Sequence, residues 1–356
     1  MLCFGLALAG CGRSTDVVHV YNWNDYITSE VLAQFEAETG IEVVYDVYDS
    51  NEILEARLMA GGAGYDLVFP TARPYAERQI EAGLYRRFDR ASLTNFEHLD
   101  ERVLATLTDF DPSHDYVVPY MWGTTGLGYN ETALARRLDD DVPRNSWDLL
   151  FDPAQASRLA DCGISVLDDA EDVLIAVLLW LGLDPDSTNP DDLDAAAAVF
   201  RDIRPYIRYF HSSQYINDLA NGDICLAMGY SGDILQARDR AEEAGGDVLV
   251  AYQVPREGAV IWTDVMAIPA DARNPDAAHQ FVDFLLRPDV IAEITNYVAY
   301  ANANASATEL VDEDIRNDPG IYLDEETMAQ LHRATSMPAE LRRLRSRTFE
   351  RIRTGR

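Results

Sequence analysis

The 356-residue chain carries 61 Asp+Glu against 29 Lys+Arg, a formal charge of −32, and 47% of its residues are hydrophobic. That apolar share excludes intrinsic disorder, and the acidity excludes nucleic acid and anionic membrane surfaces as partners, because phosphate recognition needs clustered cations. The length fits two domains of about 150 residues each. Every basic residue is Arg, and no Lys occurs. A lysine-free acidic surface fits exposure to high salt, where hydration and self-repulsion keep a protein dissolved; GC-rich codon usage gives the same bias.

The first segment reads as an address. Residues 2–9 are apolar and run into Gly10-Cys11, followed by polar residues 12–16. This resembles a bacterial lipoprotein signal, in which Cys11 is lipidated and becomes the first residue of the mature chain. The usual cationic segment is missing before the run, which points to a start codon upstream of Met1. No later run approaches the roughly 18 residues of a membrane helix. With Cys3 and Cys11 in the signal, Cys162 and Cys225 remain, and in an oxidising compartment such a lone pair is most simply a disulfide. A metal site would need more ligands than His211 supplies.

Strands and helices then alternate. Residues 17–21 read as a buried strand, 41–47 as a second and 66–69 as a third, stopped by Pro70. Thr28 caps a helix that ends at Gly40, and Ser50 opens another closed by Gly61-Gly62. This βαβαβ order predicts a parallel, doubly wound sheet. The pattern restarts after Pro119, with strands at 126–129, 163–167, 223–230, 248–254 and 260–268 and helices at 171–182 and 275–286. Residues 297–302 interrupt the helical region. The Arg-studded tail, 342–356, has helical apolar spacing and reads as a docked amphipathic helix meeting an acidic body.

In such folds the ligand lies outside the carboxyl ends of the strands. Those ends carry Trp23-Asn24-Asp25-Tyr26, Pro70-Thr71, Asp168-Asp169 with Glu171, Tyr230-Ser231-Gly232-Asp233 and Trp262-Thr263-Asp264. Nearly every loop joins an aromatic to a carboxylate, and only the third strand's brings an Arg, Arg73. Carboxylates take charge-assisted hydrogen bonds from ammonium groups, and aromatic faces attract cations and cover methylene chains. Several acids converging on one cleft favour a ligand with two or more positive charges. Enzyme signatures are missing: there is no GxSxG, HExxH or P-loop, and Glu171 and Asp172, adjacent on a helix, point apart. Residues 184–189 half-resemble a calcium loop but lack its Gly and terminal Glu, so no metal is expected.

The segments 21–27, 229–233, 262–265 and 296–304 resemble the periplasmic polyamine-binding proteins, above all the putrescine-binding type that serves ATP-driven uptake systems. The resemblance implies an α/β, two-lobed periplasmic binding protein-like fold of type II, with two doubly wound sheets joined by a hinge. The lobes would be 17–118 with 255–304 and 119–254 with 305–356, after a signal and tether at 1–16. It implies a monomer that passes its ligand to an inner-membrane permease, or a sensor feeding a receptor, with no cofactor. By the same resemblance, Trp23, Tyr26, Trp262 and Tyr300 box the alkyl chain, and Asp233 and Asp264 hold one ammonium. Asp25 and Glu171, with Asn24 and Thr71, define or gate the other end, and Cys162–Cys225 is a disulfide. Tyr230 stands where the family has Trp, and Asn24 where it has Ser or Thr. Trp262 and Asp168 resemble the spermidine pattern. Arg73, within the reach of a pair with Asp168, would repel a third ammonium unless that acid neutralises it, and so favours putrescine.

Overall fold

The computed structural model describes residues 16–355, so Cys11 and the apolar run before it lie outside the described residues. Three strands, β1 (Val17–Trp23), β2 (Glu42–Tyr48) and β3 (Leu67–Val68), form a parallel sheet in the order β2-β1-β3. The crossovers are the helices Ser29–Thr39 and Asn51–Met59. Their starts follow from the chain: Thr28 Oγ1 accepts from the Val31 amide at 3.1 Å, and Ser50 Oγ from the Ile53 amide at 3.2 Å. Gly40 closes the first helix at φ 74°, a left-handed conformation that costs glycine nothing sterically.

The second sheet contains β4 (Val118–Asn130), β5 (Ile164–Val166), β6 (Ile207–Phe210), β7 (Leu226–Tyr230), β8 (Val250–Gln253), β9 (Ala259–Met266), β10 (Ala301–Asn302) and β11 (Leu331–His332). Its order is β11-β9-β4-β7-β5-β6, with β8 and β10 also on β4. The expected parallel pairing holds for β5 with β6 and β7. It fails at β4, which is antiparallel to β7, β8, β9 and β10. The reason is topological. β4 carries the chain into this sheet and β9 carries it back, so they run side by side in opposite directions. Their register, from Val118↔Met266 to Thr125↔Val260, brings the end of β9 to the first sheet, where Val68 bridges Ala267 and Thr71 bridges Asp264. The strand expected at 126–129 is therefore the last third of a 13-residue strand.

The tail forms the helix Ala339–Thr354, docked through buried Phe349 and Ile352 as its spacing predicts. Arg351 meets Asp194 at 2.8 Å and Arg353 meets Asp168 at 3.6 Å. Arg345 is fully buried and donates to the carbonyls of Pro185 and Ser187 at 3.1 and 3.0 Å. The half-calcium loop thus turns its carbonyls to a guanidinium. No helix among the described residues is long and apolar enough to cross a membrane.

Cys162 and Cys225 form a disulfide, Cα–Cα 5.5 Å, tying the residues just before β5 and β7 across a sequence separation of 63. Closing a loop of that length stabilises by about 4 kcal/mol on the chain-entropy account. Replacing both cysteines by Ser should lower the urea unfolding free energy by up to that amount. An unchanged midpoint would show that the crosslink contributes nothing.

Candidate ligand-binding site

Between the two sheets lies a cleft holding about 820 Å³ of space, its mouth included. Of the residues named from sequence, Trp23, Asn24, Tyr26, Thr71, Arg73, Glu171, Tyr230, Asp233, Trp262, Asp264 and Tyr300 all line it. They come from the carboxyl end of β1 and the turn after it, the turn after β3, the start of the helix Ala170–Trp180, the end of β7 and the start of the helix Ser231–Ala244, the middle of β9, and the turn between the helix Pro288–Val298 and β10.

The aromatic rings form a chain of edge-on contacts. Tyr26 meets Tyr300 at 5.4 Å, Tyr300 meets Trp262 at 5.3 Å, and Trp262 meets Tyr230 at 5.7 Å between centroids. Tilted pairs of this kind present ring faces outward to a guest. Trp23 is fixed by its indole N–H, which donates to the Phe69 carbonyl at 2.8 Å, and by Tyr48, 4.6 Å away. Tyr300 fits only because Gly232 has no side chain: a Cβ there would stand 2.6 Å from the ring. Gly232→Ala should displace Tyr300 and cost about 1–3 kcal/mol of overpacking, weakening ligand binding about tenfold or more. Titration checks this, and unchanged affinity would refute the placement.

Two carboxylates sit in separate networks, divided by the Tyr26–Tyr300 pair. Asp264 accepts from Thr71 Oγ1 at 2.7 Å and from Tyr26 at 3.0 Å. Asn51 orients Thr71, donating to its hydroxyl at 2.9 Å and accepting from its amide at 3.0 Å. Asp233 accepts from Tyr215 and from Tyr300, each at 2.7 Å. Burial pushes Asp264 up to about 7, against the pull of the Thr71 and Tyr26 hydrogen bonds and with a push from Asp172. Burial likewise pushes Asp233 up to about 6, although its two tyrosines favour the ionised form.

Three of the named residues stand elsewhere than expected. Asp25 does not line the cleft; it takes a left-handed φ of 51° and faces Arg240 at 3.6 Å. Asp168 turns away to Arg353. Arg73 does not meet Asp168; it meets Asp109 at 3.1 Å and Glu77 at 3.9 Å and stacks over Phe110. Glu171 lines the cleft but is held by Arg345 at 3.1 Å.

In their place stand the next residues along. Asp169, the cap of the Ala170–Trp180 helix, and Asp172 in its first turn both line the cleft, whereas Asp168 pairs with the C-terminal helix through Arg353 and Glu171, although it borders the cleft, through Arg345. Asp169 caps the helix, accepting from the amides of Glu171 and Asp172 at 3.0 Å each. Asp172 accepts from the Thr125 hydroxyl. Burial and the charge of Asp172 hold the Asp169 carboxyl well above the usual range; burial, with the charge of Glu171, pushes Asp172 up to about 7. Tyr48, Asn51 and Tyr75 also line the cleft and were not singled out in the sequence. The capping position of Asp169 was the one signal that could have found the acidic face.

Residues 30–322 match the bacterial extracellular solute-binding proteins. The chain belongs to that family. It is 49% identical over 351 residues to the putrescine-binding periplasmic protein SpuD of Pseudomonas aeruginosa (strain UCBPP-PA14), covering 98% of this chain and 95% of that protein. It is 48% identical over 339 residues to the putrescine-binding periplasmic protein PotF of Escherichia coli K12, covering 95% and 91%. Among solved structures it is similar to the spermidine/putrescine ABC transporter substrate-binding protein PotD from Streptococcus pneumoniae, with TM-score 0.76, 28% identity and coverage of 96% and 99%. The expected two-lobed binding-protein fold is thus shown, and the chain is a solute-binding protein rather than an enzyme.

Proposed function

We propose that this solute-binding protein captures linear polyamines in the periplasm, one per chain as a monomer, and delivers them to an inner-membrane ATP-driven permease. The observation that carries the reading is a cleft in which buried Asp169, Asp172 and Asp264 and half-buried Asp233 stand among tyrosine and tryptophan rings, with Arg73 its one lining cation among the described residues. Only a ligand bearing several ammonium groups compensates that charge while matching the rings with methylenes. Asp233 receives one terminal ammonium, and Asp264 with Asp172 the other; the push of the Asp172 charge on the Asp264 carboxyl supports the grouping. The names of the two relatives nearly half identical to the chain agree with a diamine.

Chain length follows from the same residues. The charge of Arg73 is met by Asp109 and Glu77, so its repulsion of a third ammonium is weaker than the sequence implies. Asp169 stands beside Asp172 as a further acceptor. Putrescine and spermidine both bind, and spermidine alone depends on Asp169. Calorimetry with putrescine, cadaverine, spermidine and panels of sugars and amino acids should give heat only with the amines. Asp169→Asn should weaken spermidine about tenfold while putrescine stays within about threefold. Heat with a sugar or an anion and none with any amine would overturn the reading. A lipid tether on Cys11 belongs to the same proposal, tested by the mass of the mature amino terminus.

A further inference from the structure

The acidic end of the cleft contains more carboxylates than a diamine uses. Asp169, Asp172 and Glu52 all feel the charge of Glu171, so four acids crowd one region. One of them already has a partner from inside the protein. Glu171 reaches past the cleft wall to Arg345, whose Nε lies 3.1 Å from Oε2. Arg345 has no exposed surface, and its Nη1 is anchored by the Pro185 and Ser187 carbonyls. The guanidinium is therefore fixed by the backbone, and Glu171 comes to it. Glu171 still borders the cleft, so its carboxylate lies between an internal cation and the space a ligand fills.

We propose that Arg345 is a specificity-determining residue: by occupying Glu171 it withholds one carboxylate from the cleft and so sets how many ligand charges the site matches. The inference rests on the polyamine reading above. With Arg345 present, the acidic end offers Asp172 and Asp169 next to Asp264. Without it, Glu171 becomes a further acceptor, and a ligand with an extra ammonium gains more than a diamine does. The C-terminal helix thereby belongs to the recognition machinery although none of its residues lines the cleft. A purely structural role for Arg345, holding the 184–189 loop, would leave the selectivity unmoved.

The experiment is a competition of spermidine against putrescine on the full chain, read as the ratio of their affinities, with Arg345→Met, Glu171→Gln and the double variant. Arg345→Met should raise the spermidine-to-putrescine ratio about tenfold, and Glu171→Gln should lower it by a similar factor, since an uncompensated cation then faces the acidic end. In the double variant the ratio should return to within about threefold of the starting value, although the loop carbonyls still lack their donor. Equal losses for both ligands in Arg345→Met, or a double variant that keeps the single variant's ratio, would overturn the inference. If Arg345→Met does not fold, Glu171→Gln decides, and an unmoved ratio there overturns it. Absence of polyamine binding by the unaltered protein overturns the function reading and this inference with it; binding with unmoved ratios overturns this inference alone.

Discussion

Asp264→Asn is expected to weaken polyamine binding by about 2–5 kcal/mol, roughly thirtyfold to several thousandfold. Asp264 is 4% exposed, and both of its oxygens are occupied by neutral donors, Thr71 and Tyr26, which leaves the negative charge itself for a ligand. An amide at this position offers one acceptor and no charge, and it turns an N–H₂ toward a hydroxyl already aimed inward. The bound ammonium then loses its counter-charge in a place water does not reach. Asp233→Asn should behave similarly through Tyr215 and Tyr300. Asp168→Asn is the control: it faces Arg353 outside the cleft and should leave affinity within about threefold. Losses below about threefold for Asp264→Asn and Asp233→Asn alike would refute the assignment of both.

Binding should also weaken by about two to three orders of magnitude between pH 8 and pH 5.5. In the empty cleft Asp264 and Asp172 titrate near 7 and Asp233 near 6, because burial disfavours their charged forms. An ammonium in contact favours the charged form and lowers those values. The complex thus holds fewer protons than the free protein over this range, and affinity falls as the pH drops through 7 and then 6. Titrations in two buffers of different ionisation enthalpy should show protons released on binding at pH 6 and almost none at pH 8. An affinity flat from pH 8 to 5.5 would mean the carboxyls are not ligands. The sign for folding is the reverse. These acids lie above their unfolded values, so their contribution to stability is present at low pH and lost as pH rises through 6 and 7. The ligand-free protein should therefore gain more thermal stability from bound polyamine at pH 8 than at pH 5.5.

Much of the fold was legible because its signals are local. Thr28, Ser50 and Gly40 mark helix ends through single hydrogen bonds and one backbone angle, and the structure places each where the chain predicts. The antiparallel path of β4 against β9 was not legible. Whether a strand stays in its own sheet or crosses to another depends on partners 130 or more residues away, such as Val118 with Met266. Residues 118–125 have no alternation to reveal this, since all but one are buried.

The site divides in the same way. Sequence by itself determined the chemical character of the cleft: aromatics and carboxylates stand together at the strand ends, and a parallel sheet brings those ends to one place. It also determined the disulfide, since two cysteines remain once the signal is set aside. Only the tertiary structure decided which acids serve the cleft. In the run Asp168-Asp169-Ala170-Glu171-Asp172 the helix begins at Ala170 with Asp169 as its extended cap, and a rotation of about 100° separates Glu171 from Asp172. Which face meets the ligand depends on where the C-terminal helix docks, and it docks with Arg345 and Arg353 over Glu171 and Asp168. Two arginines more than 170 residues away thus pair with Glu171 and Asp168, and Asp169 and Asp172 are left to serve the cleft that Glu171 also borders.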